Sequence, residues 1–198
     1  MDEGAGRRLV ILEPMSIVGA FLVELEPMED ERGFFARAWS RDEFEAHDLC
    51  ADIAQLNVSY NSRAGTLRGM HWQSPPHAEA KLVRCVAGAV YDVIADTRAD
   101  SESFGRWQAV ELSAENRRSL YVPPYVAHGF QTLTDGAELF YAMSSAYVET
   151  AARGFRWDDP TFAIAWPPAE ERILAERDRS YPDFTPAGAE ARSAAGGG

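Results

Sequence analysis

The chain has 198 residues, with 31 acidic and 19 basic side chains that give a formal net charge of −12. This length suits one domain with a substantial core, and the excess of acid argues against a nucleic-acid-binding protein, which would need a basic surface. Hydrophobic residues make up 46% of the sequence and aromatic residues 11%, as in globular proteins and unlike disordered ones.

The two ends of the chain differ in composition from the part between them. Residues 1–8 and 185–198 are rich in small and polar residues, so we predict that both ends are disordered and that residues 9–184 form a single domain. No apolar run is long enough to span a membrane, and no signal-peptide pattern is present. Cys50 and Cys85 lack the spacing of a metal site or disulfide framework, which predicts buried reduced thiols in a cytoplasmic protein.

Strand patterns dominate the chain from residue 21 onward. The first two predicted strands are Phe21–Leu25 and Gly33–Trp39, and Ser40 and Glu43 are spaced as a capping box, which predicts a short helix over residues 41–48. Further strands are predicted at 53–60, 66–73, 81–87, 90–96, 107–112, 119–122, 130–133 and 138–147. Residues 167–177 have helical composition. Many short, evenly spaced strands predict a mainly β sandwich or barrel with short helical additions.

The stretch from Leu67 to Gln73 contains a histidine in a strand pattern. Strict alternation places His71 on the same face as Gly69 and places Arg68 on the opposite face. Because glycine has no side chain, a ligand could approach His71 closely there. A structural histidine in a half-buried strand explains the stretch equally well.

Several charged residues read as surface groups when each is taken alone. Lys81 opens a predicted strand, where lysine is usually a solvated edge charge. Asp92 and Asp96 share one face of the next strand and resemble solvent-facing residues or turn formers. Asp178 follows the last predicted strand, which also favours a surface position.

Other polar side chains lie in less ordinary surroundings. His128 follows a Pro-Pro turn and lies between small residues. This context favours a side chain that faces a cavity as much as one that is hydrogen-bonded to the backbone. Tyr141 and Tyr147 are six residues apart, so a regular strand would place them on one face, where two core tyrosines are the ordinary interpretation.

Taken in order, these pieces resemble the dTDP-4-dehydrorhamnose 3,5-epimerase family of the cupin superfamily. Each piece alone is common, but the ordered set is specific. The matching stretches, between about residues 15 and 184, are 30–35, 55–59, 67–73, 81, 103–105, 123–130, 157–160, 166–167 and 177–178. The resemblance implies a jelly-roll (cupin-like) β-sandwich, a homodimer, no metal or organic cofactor, no membrane or nucleic-acid partner, and a dTDP-linked sugar as substrate.

The resemblance also implies roles for individual residues. His71 would be the base, Asp178 its carboxylate partner, Lys81 the group that stabilises an enolate, and Tyr141 the acid on the opposite face of the sugar. The implied substrate-binding residues are Arg32, Phe35, Gln55, Asn57, Arg68, His128, Tyr147 and Arg177. Among these, Tyr147 would stack on the nucleobase.

These residue types fit the implied chemistry, which is epimerisation at C3, C5 or both of a nucleoside-diphosphate 4-keto-6-deoxyhexose. A proton next to a ketone is weakly acidic, and histidine is the side chain whose basicity suits its removal near neutral pH. A buried carboxylate fixes the histidine tautomer, and a lysine ammonium stabilises the negative charge that develops on the C4 oxygen.

Two positions depart from the family pattern. Family members often carry an acidic residue where this chain has Arg37, and the segment from residue 57 to 65 is one residue longer than in many members. Both positions bear on recognition of the nucleotide, so the nucleobase stays open.

Two other classes of protein remain as alternatives. A metal-dependent cupin could bind a metal through His71, Glu79 and His128, although Gln73 stands where such proteins place a second histidine. A sugar-nucleotide-binding module without catalysis would not need an opposed base and acid. Metal analysis tests the first alternative, and deuterium exchange from solvent tests the second.

Overall fold

The computed structural model describes residues 10–186, so the disorder predicted for residues 1–8 and for almost all of 185–198 lies outside the described part. The strands are β1 (Val10–Pro14), β2 (Phe21–Leu25), β3 (Met28–Asp30), β4 (Gly33–Phe35), β5 (Gln55–Asn61), β6 (Leu67–Gln73), β7 (Lys81–Ala87), β8 (Ala89–Asp96), β9 (Trp107–Ser113), β10 (Ser119–Val122), β11 (Val126–Thr132), β12 (Ala137–Met143) and β13 (Ala152–Gly154). The helices are α1 (Arg41–Glu45) and α2 (Glu176–Ser180), with a 3₁₀ turn at Glu149–Ala151.

Two antiparallel sheets form the body of the molecule. One has six strands in the order β1-β2-β10-β7-β12-β5, and the other has five in the order β13-β6-β11-β8-β9. Apolar side chains from both sheets form one fully buried cluster, which includes Val83 and Leu139 from the first sheet and Ile94 and Leu112 from the second. This arrangement confirms the predicted mainly β, jelly-roll sandwich.

Two predicted elements between residues 33 and 48 differ from the structure. The strand predicted over residues 33–39 stops at Phe35. The helix predicted over 41–48 ends at Glu45, because Asp48 turns the chain with a φ of 57°. Its capping box is also wrong, since the Ser40 side chain makes no capping hydrogen bond.

The helical composition of residues 167–177 is misleading. Helix α2 begins only at Glu176, and the preceding chain runs beside β6. The N–H of Ile173 donates to the Gly65 carbonyl at 3.0 Å, and the N–H of Leu67 donates to the Ile173 carbonyl at 2.8 Å. Pairing with another segment satisfies these backbone groups, so no helix is needed there.

Strand β6 contains an irregularity that moves side chains between faces. In the pairing with β11, His128 is opposite His71, whereas Phe130 is opposite Arg68. These two pairs are separated by two residues on β11 but by three on β6. The extra residue shifts the alternation, so Arg68 lines the same cavity as His71 and the predicted opposite faces are wrong. Gly69 permits this geometry, because a Cβ there would lie 2.5 Å from the Gly129 Cα.

Two smaller findings concern the cysteines and membranes. Cys85 is buried as predicted, whereas Cys50 is exposed, contrary to the prediction. Within residues 10–186, no helix has the length and apolar character required to cross a bilayer.

Candidate active site

A cavity of about 400 Å³ opens between the two sheets. It collects most of the predicted site residues, namely Asn57, Arg68, His71, Lys81, His128, Tyr141, Arg177 and Asp178. Phe130 and Met143 add apolar surface to its lining. A second cleft of similar volume, between Gly65 and Ile173, is lined by neither histidine nor lysine, so the first cavity is the candidate site.

His71 and Asp178 form a pair at one side of this cavity. The Nε2 atom of His71 lies 2.7 Å from Oδ1 of Asp178, and the backbone N–H of Gly69 donates to Oδ2 at 3.3 Å. The Asp178 side chain is 6% exposed and that of His71 is 38% exposed, so Asp178 is buried and is not the surface charge that its position alone suggested. Because Nε2 faces the carboxylate, Nδ1 is the ring nitrogen left for a ligand.

Lys81 is buried at the start of β7 and is not a solvated edge charge. Its Nζ atom donates to the backbone carbonyl of His71 at 3.0 Å and lies 3.2 Å from Oε1 of Glu79. These two contacts fix the ammonium beside the catalytic candidate His71.

His128 and Asp92 form a second buried pair. Nε2 of His128 lies 2.9 and 3.0 Å from the two carboxylate oxygens of Asp92. Burial raises the pKa of Asp92, and the charge of His128 opposes that rise only in part. Sequence reasoning missed this partnership because alternation gives the face of a strand but not its depth. The signal available was an acidic residue among the apolar residues of β8.

Tyr141 faces the same cavity from the opposite sheet. It belongs to β12 of the six-stranded sheet, whereas His71 belongs to β6 of the five-stranded sheet. Burial raises the pKa of Tyr141, and the negative charge of Asp92 raises it further. The hydroxyl therefore keeps its proton at neutral pH and can act as a donor.

Tyr147 lies beyond the end of β12, so the predicted regular-strand spacing from Tyr141 does not apply. Nη1 of Arg177 donates to the Tyr147 hydroxyl at 3.0 Å, and Nε of Arg177 donates to the Tyr181 hydroxyl at 2.7 Å. The ring of Tyr181 lies 5.8 Å from that of His71, centroid to centroid. Sequence reasoning missed Tyr181, which lies in a segment without strand or helix pattern.

Two amide side chains and an arginine continue the polar lining. Nε2 of Gln55 donates to Oδ1 of Asn57 at 2.7 Å, and Oε1 of Gln55 accepts from the Tyr147 backbone N–H at 3.1 Å. Nε of Arg68 donates to Oδ1 of Asn61 at 2.8 Å. These contacts hold Asn57 and Arg68 at the cavity edge.

Four predicted site residues are not in the cavity lining. Gln55 and Tyr147 contact residues that are, whereas Arg32 and Phe35 lie elsewhere. They lie on the hairpin formed by β3 and β4, which pairs with neither large sheet. Phe35 is 63% exposed, and Arg32 is paired with its neighbour Asp30. Their assignment to the substrate stays a prediction.

The residues suggested for a metal each have another partner. His71 contacts Asp178, His128 contacts Asp92, and Glu79 contacts Lys81. In the described range, 10–186, no group of three or more His, Cys, Asp or Glu side chains is arranged to hold a metal ion.

Comparisons with known proteins agree on one family. The sequence model of the dTDP-4-dehydrorhamnose 3,5-epimerase family matches residues 14–186. The dTDP-4-dehydrorhamnose 3,5-epimerase of Sinorhizobium fredii (strain NBRC 101917 / NGR234) is 37% identical over 172 residues, which cover 87% of this chain and 88% of that protein.

Solved structures agree as well. The dTDP-4-dehydrorhamnose 3,5-epimerase of Elizabethkingia anophelis NUHP1 superimposes with a TM-score of 0.86 at 36% identity, covering 89% of this chain and 97% of that one. The 3'-monoepimerase ChmJ of Streptomyces bikiniensis, solved in complex with dTDP-quinovose, gives a TM-score of 0.79 at 36% identity, covering 86% of each chain.

Proposed function

The chain belongs to the dTDP-4-dehydrorhamnose 3,5-epimerase family and is an isomerase, and we propose that it inverts C3, C5 or both of a nucleoside-diphosphate-linked 4-keto-6-deoxyhexose in deoxysugar biosynthesis. One observation carries the proposal, namely that His71 and Tyr141 face one cavity from opposite sheets. Inversion of a carbon requires a base on one face of the sugar and a proton donor on the other.

His71 is the proposed base. Asp178 holds the ring by Nε2, which orients Nδ1 toward the substrate and stabilises the imidazolium that forms when the proton is taken. The electron pair of the broken C–H bond moves into the C–C bond and then onto the C4 oxygen, which becomes an enolate. C3 and C5 both neighbour C4, so one base can serve either carbon.

Lys81 is the proposed partner of that oxygen. Its ammonium is buried and fixed, and a fixed positive charge beside a developing oxyanion stabilises the transition state more than the neutral ketone. Tyr141 then donates its proton to the opposite face of the carbon as the enolate returns to the ketone. Afterwards His71 releases the abstracted proton to solvent and Tyr141 regains a proton from it.

The remaining cavity residues suit the nucleotide. Arg68 and Arg177 place positive charge at the cavity in a chain whose net charge is −12, and guanidinium groups match diphosphate oxygens. Asn57, Gln55 and His128 supply further hydrogen-bonding groups, and the exposed ring of Tyr147 is available to stack on a base. A protein of this kind would work in the cytoplasm, without a metal or organic cofactor.

A homodimer is part of this proposal. Leu56, Val58 and Tyr60 project from β5, the edge strand of the six-stranded sheet, and are 56%, 62% and 62% exposed. Phe140 is paired with Val58 on the next strand and extends the apolar surface. Covering this surface with a second copy removes it from water. A monomeric mass at micromolar concentration would refute the dimer, and Val58→Glu should convert dimers into monomers.

The deuterium exchange reaction tests the function. Several nucleotide-linked 4-keto-6-deoxyhexoses are incubated with the protein in deuterated water, and NMR measures incorporation at C3 and C5 together with product stereochemistry. We expect exchange and inversion at one or both carbons. Binding without exchange would instead support a non-catalytic module, and activity that requires an added metal would support a metal-dependent cupin.

A further inference from the structure

Lys81 is the only lysine in the sequence, and a carboxylate that the mechanism does not use lies directly beside it. Glu79 is 5% exposed, and its Oε1 atom lies 3.2 Å from the Lys81 Nζ. The other oxygen, Oε2, is buried and has no hydrogen-bond partner within the described residues. A buried carboxylate with one unsatisfied oxygen is unfavourable for folding, which points to a role other than stability.

The place of Glu79 relative to the cavity is informative. Glu79 lines a smaller space of about 180 Å³, which we call the annex and which shares His71, Lys81, Met143 and Arg177 with the main cavity. Glu79 itself does not line the main cavity. Lys81 lines both spaces and contacts Glu79, so it connects this carboxylate to the main cavity.

The contacts of the ammonium define its direction. A lysine ammonium has three N–H donors. One meets the His71 carbonyl at 3.0 Å and a second meets Glu79 at 3.2 Å, which leaves a single donor for a ligand in the main cavity. Two fixed contacts restrict rotation of the amine, so the third donor is held in one orientation before substrate arrives.

Charge compensation supplies a second reason for Glu79. Arg68, Arg153 and Arg177 line the cavity and the annex together with Tyr141 and Tyr147. The nearby carboxylates Asp178 and Asp92 are each paired with a histidine. Glu79 is thus the carboxylate paired directly with Lys81, and it offsets the repulsion that a buried ammonium meets among arginines.

We propose that Glu79 is a positioning residue that holds the Lys81 ammonium directed at the oxygen that becomes the enolate. This inference rests on the proposed function for its catalytic part only. Because Glu79 does not line the main cavity, its loss should impair the chemical step while substrate binding is retained.

The single lysine makes the test direct. When the protein carries no lysine beyond its own and is labelled with ¹⁵N at the lysine Nζ, it gives one side-chain NMR signal, which reports the contacts of the Lys81 ammonium in the absence of substrate. In Glu79→Gln, which preserves shape, we expect this signal to shift and broaden, because the ammonium loses one of its two fixed contacts and its protons exchange faster with water. The matched control Glu171→Gln removes an exposed ion pair with Arg63 and should leave the signal unchanged.

Kinetics supply the second readout. In Glu79→Gln we expect kcat to fall about tenfold or more, which is less than the ~10²–10³-fold cost of removing a direct oxyanion donor, with KM nearly constant. Deuterium exchange and inversion should fall in parallel, because both pass through the enolate. Glu79→Asp retains the carboxylate and should restore part of both the lysine signal and kcat, and it provides a second test if Glu79→Gln folds poorly.

The outcomes separate this inference from the proposed function. An unchanged lysine signal, an unchanged kcat, or a rise in KM alone would overturn the role of Glu79. Absence of exchange in the wild-type protein would refute the proposed function and the catalytic part of the inference together. The lysine signal would then still decide whether Glu79 holds the Lys81 ammonium in place.

Discussion

Two aspartates four residues apart on β8, Asp92 and Asp96, are both fully buried, yet their surroundings are opposite. Asp92 has His128 as its hydrogen-bond partner at the candidate site. Asp96 lies in a polar cluster away from the candidate site, where its carboxylate accepts hydrogen bonds from the side chains of Arg98, Ser101 and Ser103. That cluster also holds the β1–β2 connection, because Ser103 Oγ accepts from the Val18 N–H and Arg98 donates to the Val18 carbonyl.

The pKa shifts of the two groups follow from these contacts. Burial alone would raise both, and it does raise the pKa of Asp92 despite the attraction of His128. In Asp96, the hydrogen bonds from Arg98 and the two serines outweigh burial, and the pKa is lowered. Burial raises the pKa of both aspartates, so the hydrogen bonds that each accepts decide the direction of its net pKa shift. The fully hydrogen-bonded cluster around Asp96 stabilises the fold, whereas Asp92 and His128, which make fewer hydrogen bonds, remain available for chemistry.

The largest effect should come from the cavity. We expect His71→Asn to abolish epimerisation while the fold is retained, because the variant has no base. Asp178→Asn should cost less but still a large part of the ~10²–10⁴-fold contribution of a general base, since the ring loses its orientation. Steady-state rates with circular dichroism check both variants. Near-normal exchange in His71→Asn would refute the proposed mechanism.

The same substitution at the two aspartates separates structure from chemistry. Asp96→Asn should lower the free energy of unfolding by about 3 kcal/mol, because it breaks a buried ion pair, and kcat of the folded fraction should persist. Asp92→Asn should cost less stability and more activity. Denaturant unfolding and kinetics on both variants test this contrast, which equal stability losses would contradict.

The smallest expected effect is a pH dependence of stability with opposite sign at the two sites. The folded pKa of Asp96 is below the unfolded value of about 3.9, so its contribution is present above that pH and is lost as pH falls through the folded pKa. The raised pKa of Asp92 gives the reverse slope, with its contribution lost as pH rises. Unfolding free energies of wild type, Asp96→Asn and Asp92→Asn from pH 3 to 7 should therefore diverge in opposite directions; parallel curves would refute this assignment.

Local pattern predicted part of this molecule well. The strands Lys81–Ala87 and Ser119–Val122 have the predicted bounds, because alternation and flanking turn residues are properties of the chain itself. The burial of Asp178 and the strand face on which Arg68 lies could not be predicted in this way. Asp178 is buried by packing of α2 against β6, and Arg68 changes face through a register shift against β11.

The candidate site shows the same division. The family resemblance gave the residues of the cavity, whereas residue-by-residue interpretation treated Lys81 and Asp178 as surface charges. Glu79 was considered only as a ligand in the metal-dependent alternative, and the partners Asp92 and Tyr181 were missed, since they meet His128 and His71 through tertiary packing across strands or loops. Such contacts join residues far apart in the chain and leave no periodic signal.

The most direct test of the central claim, an opposed base and acid in one cavity, is the ratio of exchange to inversion in Tyr141→Phe. His71 can still remove the proton and Lys81 can still stabilise the enolate, so deuterium should enter the sugar faster than the carbon inverts. A tyrosine that only fills the core would cost roughly 1 kcal/mol of stability and leave the ratio alone. Deuterium incorporation and product stereochemistry, measured on one substrate in wild type and variant, decide between them: a raised ratio supports the account, and an unchanged ratio contradicts Tyr141 as the acid.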